Sequence, residues 1–336
     1  MTDELQHILQ AYQIPSANIE KVTKRVFKVT FQNHIFALKK SKLSKENLRI
    51  WESVYQIAQT NLISQVLPVY LTEEGKLYVE IGNSIYYLTP WIDDYTNRDK
   101  SWVKSFYHDI ATIHHVTKRK RLLSNSEWKE SFKTFQQYCA EMKNLYFIAI
   151  KEFERKRYMS PVELLVCTQF RDVEQVFITL QKRLQQFVDQ DEKEMTWNYS
   201  LCHRNLHVSH RLEGYIINWE SAEYNHAVTD LVDFFKREVI HYDSPADLFL
   251  ENFSSYSDIN NLSNAELQLL TIHLLDPIPY MTVVKNYMEA NTKHSNIATV
   301  KKLQQLHRIF YFGLRWSDFV EKEYETVSFE DLDDEF

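Results

Sequence analysis

The chain has 336 residues, a formal net charge of −7 and a hydrophobic fraction of 44%, which suits a globular protein large enough for two cores. The chain has only four glycines, which argues against a glycine-rich phosphate loop. Its net negative charge argues against nucleic acid as a partner. The three cysteines are widely spaced, no apolar run suggests a membrane span, and the N-terminus is not a secretory signal. We therefore expect a cytoplasmic protein without a disulfide framework and without a membrane partner.

The first 89 residues are predicted to form an N-terminal lobe built on an antiparallel sheet. Residues 3–13 carry apolar side chains at helical spacing. Residues 26–39 change to a period of two on either side of a turn at Gln32-Asn33-His34, which predicts a hairpin. A second helix and three further strands follow at residues 44–60, 66–71, 76–81 and 84–88.

After Pro90 the strand signals almost vanish, and we predict a mainly helical C-terminal lobe over residues 90–326 with an acidic tail at 327–336. Ser160-Pro161-Val162-Glu163 and Ser263-Asn264-Ala265-Glu266 have the pattern of helix capping boxes. The basic run at residues 118–121 is interpreted as the exposed end of a helix.

Residues 199–237 interrupt the helical pattern with a strand, a loop, a short strand and a polar loop. His203 begins the first loop and His210 closes it. The short strand ends at Ile217-Asn218-Trp219, and Asp230 begins the next helix. This order resembles the protein-kinase-like superfamily on its aminoglycoside/choline phosphotransferase branch. Within that branch the chain is most similar to the spore-coat-associated CotS group and its YsxE-type members, over nearly its whole length.

The resemblance implies an α+β, two-lobed protein-kinase-like fold, with a small antiparallel-sheet N-lobe and a large, mainly helical C-lobe. It implies that Lys39 is the strand lysine that holds nucleotide phosphates, and that Glu52, or else Glu46, is its carboxylate partner on the following helix. His203 and Asp230 would be structural residues of the catalytic region.

Three positions of the family pattern carry other side chains here. Asn205 stands where the family has the aspartate that accepts the substrate proton, and an amide cannot do this at neutral pH. His210 replaces an asparagine that holds magnesium, and Asn218 replaces the metal-bridging aspartate. Because magnesium prefers oxygen ligands, and above all carboxylates, the sequence predicts that no catalytic residue set is intact.

Other groups could take over parts of this chemistry. Glu220 follows Asn218 by two residues and is a weak candidate for a displaced metal ligand. His203, His207 and His210 have a spacing that a zinc site could use, although a structural role for His203 is the simpler interpretation.

The function expected from the sequence is that of a catalytically degenerate kinase-like protein, a pseudokinase that acts by binding. The resemblance implies a place in bacterial spore coat assembly, with a spore coat or other protein as partner, in the mother-cell cytoplasm and associated with the coat. We expect no cofactor and weak or absent binding of ATP and magnesium, with Lys39 and Glu52 as a vestigial nucleotide site. The alternatives are a small-molecule phosphotransferase with relocated catalytic groups and a nucleotide or metabolite binder without turnover.

Overall fold

A computed structural model describes residues 2–93, 101–189, 194–289 and 295–325. The chain divides into two compact units, one formed by Met1–Lys118 with Ser200–Asn225 and the other by Arg119–Tyr199 with His226–Phe336. The lobe boundary expected near residue 90 stays a prediction. The acidic tail at 327–336 and part of the connector that follows residue 90 lie outside the described residues.

The first unit begins with a five-stranded antiparallel sheet in the order β1-β2-β3-β5-β4. The predicted hairpin is confirmed, because β2 and β3 pair on either side of Gln32 and Asn33. The elements are α1 (Thr2–Ala11), β1 (Asn18–Lys21), β2 (Val26–Phe31), β3 (His34–Ser41), α2 (Lys45–Thr60), β4 (Val79–Ile81), β5 (Ser84–Pro90) and α3 (Trp102–Val116).

The two faces of this sheet carry different side chains, because successive residues of a strand point to opposite faces. One face packs under α1 into an apolar core of Leu5, Ile8, Leu9, Phe27, Val29, Leu38, Tyr86 and Leu88. The opposite face carries Lys39, which lies between Val26 on β2 and Tyr87 on β5 in the pairing register. The register therefore places Lys39 and Tyr87 side by side, away from α1.

A strand predicted at residues 66–71 does not form. The segment makes a single parallel bridge between Val66 and Ile216, with Ile216 N donating to Gln65 O and Leu67 N donating to Ile216 O. Pro68 has no backbone N–H, so it cannot continue a ladder of hydrogen bonds at this point.

The second unit is mainly helical, and in its described part β6 (Arg119–Ser124) pairs antiparallel with the first part of β7 (Glu194–Cys202). The capping boxes predicted at Ser160 and Ser263 are both confirmed. The helices are α4 (Asn125–Glu154), α5 (Pro161–Thr168), α6 (Phe170–Val188), α7 (Ala227–Glu238), α8 (Ala246–Glu251), α9 (Ser254–Ser257), α10 (Asn264–Leu274), α11 (Ile278–Met288) and α12 (Asn296–Val320), which ends in a π-helical turn at Glu321–Glu325.

The interpretation of residues 118–121 as a helix end is wrong for most of the run. Helix α3 ends at Val116, where the Thr117 hydroxyl donates to Ile113 O and accepts a hydrogen bond from Leu201 N. The chain then continues as β6, with Arg121 opposite Trp197. This strand depends on a partner more than seventy residues away in sequence, which a local pattern does not reveal.

Arg183 on α6 is fully buried and ties that helix to the end of α12. Its Nε donates to Ser317 Oγ at 3.0 Å and its Nη2 donates to Ser317 O at 2.9 Å. Its Nη1 pairs with Glu325 at 2.5 Å, and Glu321 lies 3.4 Å from Nη2. The guanidinium therefore satisfies its donors inside the unit.

Residues Asn264–Met288 form the one stretch of the described chain that is long and apolar enough to cross a membrane by composition. Of its most apolar window, 67% is buried inside the structure, as in a core helix. The expectation that the chain has no membrane partner stays a prediction.

Candidate functional site

The candidate site predicted from the sequence lies within the first unit, and most of it is on the part of the chain that follows β7. After Cys202 the loop contains a 3-10 turn at Val208–His210 and a small hairpin. A second 3-10 turn at Trp219–Ser221 precedes the last strand. The strands are β8 (Arg211–Leu212), β9 (Tyr215–Ile216) and β10 (Glu223–His226).

Lys39 and Asn218, which the sequence placed in one site, are in direct contact. Lys39 is 9% exposed, and its Nζ donates a hydrogen bond to Asn218 Oδ1 at 2.7 Å. Asn218 has a φ of 67°, in the left-handed region that asparagine tolerates better than most residues. The lysine head group is therefore held by the residue at the expected metal position.

Glu220 is the carboxylate that acts on Lys39. The Tyr87 hydroxyl donates to Glu220 Oε1 at 2.5 Å, and Tyr87 lies opposite Lys39 on the sheet. Burial lowers the pKa of Lys39, while the charge of Glu220 opposes that shift. Burial, followed by the Glu220 charge, also raises the pKa of Tyr87 well above its ordinary value, so this phenol stays a donor.

Glu52 does not reach Lys39. It lies on α2 beside Tyr78, whose pKa is raised by burial and then by the Glu52 charge. Among the described residues no ion pair joins Glu52 to Lys39, so the two vestigial nucleotide residues are not brought together.

His203 uses both ring nitrogens within its own loop. Its Nδ1 accepts from Asn205 N at 3.2 Å, and its Nε2 lies 2.8 Å from Ile217 O. Since a carbonyl oxygen only accepts, Nε2 carries the proton. The imidazole is fully buried and joins the loop to the strand before Asn218.

His210 has the opposite tautomer. Its Nδ1 donates to Asn205 O at 2.9 Å, which leaves Nε2 as an acceptor. Burial, followed by the nearby His203 and His207 rings, lowers the pKa of His210 to about 3. His210 is therefore neutral at physiological pH, and it offers a nitrogen where magnesium would require oxygen.

The possible zinc site does not have three ligands. Both nitrogens of His203 are engaged, so only His207 and His210, whose ring centroids are 3.8 Å apart, could bind an ion. Two imidazoles without a third protein ligand do not make the usual zinc site.

Asn205 contributes its backbone, and not its side chain, to this arrangement. Its N–H and C=O bind His203 and His210, whereas its side-chain amide makes no hydrogen bond to the described residues. The neighbouring Arg204 has a φ of 58°, which is unusual for a residue with a long side chain. Arg204 Nε lies 2.7 Å from Glu223 Oε1, and this ion pair holds the arginine against β10.

The turn between β1 and β2 binds its own amides. Thr23 Oγ1 accepts from Arg25 N at 3.1 Å and from Val26 N at 3.0 Å. The amides of Val22 and Thr23 donate to Val26 O at 3.1 and 3.0 Å. Four N–H groups that could face an anion are thereby used inside the turn.

Asp230 lies in the first turn of α7 and is fully buried. It belongs to the second unit, whereas the other residues named from the sequence belong to the first. A carboxylate near a helix N-terminus is favoured by the helix dipole, which suits a structural role.

Sequence reasoning missed two residues of this region. Tyr87 binds Glu220, and only its register opposite Lys39 could have indicated that contact. Thr23 satisfies the turn amides, and its hydroxyl two residues before Arg25 is a known local signal for such a turn.

The donor set does not fit magnesium. The three expected positions present an amide, a neutral imidazole and a second amide that is bound to Lys39. Glu220 supplies a carboxylate, but its Oε1 accepts from Tyr87. A hard divalent cation has no anionic anchor at the expected positions.

No protein-family model matches the chain, and no curated protein matches it. Solved structures do match. An aminoglycoside phosphotransferase from Alicyclobacillus acidocaldarius has a TM-score of 0.70 at 16% identity, over 96% of both chains. Spectinomycin phosphotransferase in complex with ADP and spectinomycin has a TM-score of 0.55 at 14% identity, over 94% of this chain and 98% of that one. A microcompartment-associated aminopropanol kinase has a TM-score of 0.55 at 12% identity, over 94% of this chain and 97% of that one.

These similarities cover almost the whole chain and confirm the fold class predicted from the sequence. The protein has the kinase-like phosphotransferase fold, with an antiparallel sheet in its N-terminal part and a mostly helical C-terminal part.

Proposed function

We propose that the protein is a catalytically degenerate kinase-like protein that acts by binding. The observation that carries this proposal is the 2.7 Å hydrogen bond from Lys39 to Asn218. The side chain expected to hold phosphate is satisfied by a neutral residue at the position expected to hold metal. This contact supports a role for Lys39 that does not require phosphate or metal.

The chemistry of phosphoryl transfer supports the same proposal. The reaction needs a group that takes or orients the acceptor proton and a metal that neutralises developing phosphate charge. Asn205 supplies no base, and base catalysis alone contributes roughly 10²–10⁴-fold. His210 and Asn218 supply no anionic metal ligand, so the electrostatic stabilisation by magnesium is lost as well.

The hydrogen bonds inside the turn at Thr23 are a reason to expect that nucleotide binds weakly. A phosphate at this position would need backbone amides that already donate to Thr23 Oγ1 or Val26 O. Breaking such bonds costs about 0.5–1.5 kcal/mol each, which subtracts from any affinity for phosphate.

We further propose that this binding serves bacterial spore coat assembly, with a coat protein as partner in the mother-cell cytoplasm. The support is the resemblance of the sequence to the CotS group and its YsxE-type members. Co-purification of the tagged chain from sporulating cells tests this setting. Recovery of coat proteins with the wild-type chain, and not with an unrelated tagged protein of similar charge, is the expected result.

The catalytic part of the proposal is tested by restoring the family residues. We expect no ADP release from ATP and no magnesium-dependent rise in melting temperature with ATP for the wild-type chain. The variant Asn205→Asp/His210→Asn/Asn218→Asp should gain a magnesium-dependent rise, because carboxylates return to the metal positions. The same variant with Lys39→Met is the matched control. ATP turnover by the wild-type chain with magnesium would contradict the proposal.

A second candidate is a phosphotransferase whose metal ligand has moved to Glu220. The observation in its favour is that the Glu220 charge acts on Lys39. A screen of hydroxyl acceptors that includes amino alcohols and aminoglycosides would reveal such an activity. Glu220→Gln should then abolish it, whereas Glu223→Gln should not. If ATP binds without turnover and Lys39→Met removes that binding, the protein is instead a nucleotide binder.

A further inference from the structure

Among the residues that the structure describes, β6 is the end strand of a sheet with the order β10-β7-β6. It pairs with β7, with Lys120 opposite Asn198 and Arg121 opposite Trp197. In an antiparallel pair, every second residue of an end strand turns its N–H and C=O away from the neighbouring strand. β6 therefore carries backbone donors and acceptors that point away from β7.

The same strand carries three consecutive cations. Arg119, Lys120 and Arg121 are all exposed, although successive strand residues point to opposite faces. The described part of this strand, residues 119–121, therefore exposes positive charge on both faces. Among the described residues, Lys120 and Arg121 have no carboxylate within ion-pair distance.

The positive charge of β6 favours one kind of binding partner over two others. A second copy of β6 would bring six cations together across one ladder, and like charges opposite each other destabilise strand pairs. A nucleic acid is disfavoured by the net charge of −7 and by the lack of aromatic residues within the run 118–121 on which bases could stack. An extended acidic peptide satisfies both the backbone groups and the cations.

We propose that the outer edge of β6 binds an extended acidic segment of a partner protein, which adds to the sheet as a further strand. Arg121 points to one face and Lys120 to the other, so acidic side chains of the partner on either face would meet one of these two cations. The proposal uses residues outside the catalytic region and does not depend on whether that region binds a nucleotide.

The test is a titration of the full chain into a labelled peptide, acetyl-Thr-Glu-Val-Glu-Val-Glu-Thr, followed by fluorescence anisotropy at low and high salt. We expect binding that weakens as salt rises. Lys120→Glu with Arg121→Glu should weaken it by about tenfold or more, since two attractive charges become repulsive. The matched control, Lys301→Glu with Lys302→Glu, reverses two exposed cations on α12 and should leave affinity within about twofold.

A second peptide, with the same sequence but N-methylated at alternate amides, separates strand addition from simple charge attraction. Loss of binding by this peptide supports the proposal, because methylation removes donors and leaves the charge unchanged. Equal binding of both peptides, no binding of either, or tighter binding of a single-stranded RNA of the same charge would overturn it. A further variant changes the five acidic residues of 327–336 to their amides. If this variant binds the peptide much more tightly than the unchanged chain does, the chain's own acidic segment is the occupant of the edge, and the proposal is overturned.

Discussion

Lys39 Nζ and Asn218 Oδ1 lie 2.7 Å apart, although 179 residues separate them along the chain. The contact joins the central strand of the five-stranded sheet to the loop after β9 within one compact unit. Since Lys39 is almost fully buried, this bond and the field of Glu220 are what offset the loss of water around its charge.

Replacing Lys39 by methionine should lower the free energy of unfolding. The change leaves Asn218 Oδ1 without its donor and removes the cation near Glu220, which should cost about 1–3 kcal/mol. Urea denaturation followed by tryptophan fluorescence measures the effect. Lys42→Met, at an exposed position, is the control and should change stability by less than about 0.5 kcal/mol. An equal loss in both variants would contradict a role for the buried contact.

His210 should make the protein less stable in mild acid. Its pKa is about 3 in the folded chain, against 6.5 for an ordinary histidine, so the unfolded chain binds a proton first as the pH falls. Stability is lost from about pH 6.5 downward, and the loss should reach about 2 kcal/mol at pH 5. His210→Asn, whose amide can still donate to Asn205 O, should remove this part of the pH dependence. The control is His34→Asn, at an exposed position, which should leave the difference between pH 7.5 and pH 5 unchanged.

Thr23→Ala should open the turn between β1 and β2. Without Oγ1, the amides of Arg25 and Val26 lose their acceptor and should exchange with deuterium faster. Stability should fall by about 0.5–1.5 kcal/mol. Thr23→Ser keeps the hydroxyl and should retain slow exchange. Unchanged exchange in the alanine variant would show that another group holds these amides.

Arg183 and Lys182 offer a comparison between neighbours that share the acceptor Glu321. Arg183 is fully buried, whereas Lys182 is exposed. Arg183→Met should cost about 3 kcal/mol, because it removes a buried charge from Ser317, Glu321 and Glu325. Lys182→Met should cost less than about 1 kcal/mol, as exposed ion pairs usually do. Thermal unfolding of both variants measures the two losses of stability. Similar losses would count against a central role for Arg183.

Features that depend on a few neighbouring residues were the easiest to predict from the sequence. The capping box at Ser160 and Glu163 closes within one helical turn, and the hairpin at Gln32 is set by a local change of period. The fold class came from the resemblance of residues 199–237 to a kinase-like catalytic region.

Features that depend on distant pairing could not be predicted. β6 exists because residues 119–124 pair with residues 194–199, and a basic run gives no local signal of that partner. The contact of Tyr87 with Glu220 likewise requires the register of β3 and β5 and the path of the loop after β9. The assignment of Glu52 as the partner of Lys39 followed the family pattern, whereas the carboxylate whose charge acts on the lysine is Glu220, in the loop after β9.

The opposite tautomers of His203 and His210 have an electrical consequence. Each ring proton is committed to a carbonyl oxygen, so the loop between the two histidines presents uncharged imidazoles to the space around Lys39. The charge of Glu220 also acts against that of Lys39, whose head group is bound by the amide of Asn218. A ligand in this region should bind with little dependence on ionic strength, whereas a ligand on the basic edge of β6 should be displaced by salt. A salt titration can therefore tell which of the two surfaces a partner occupies.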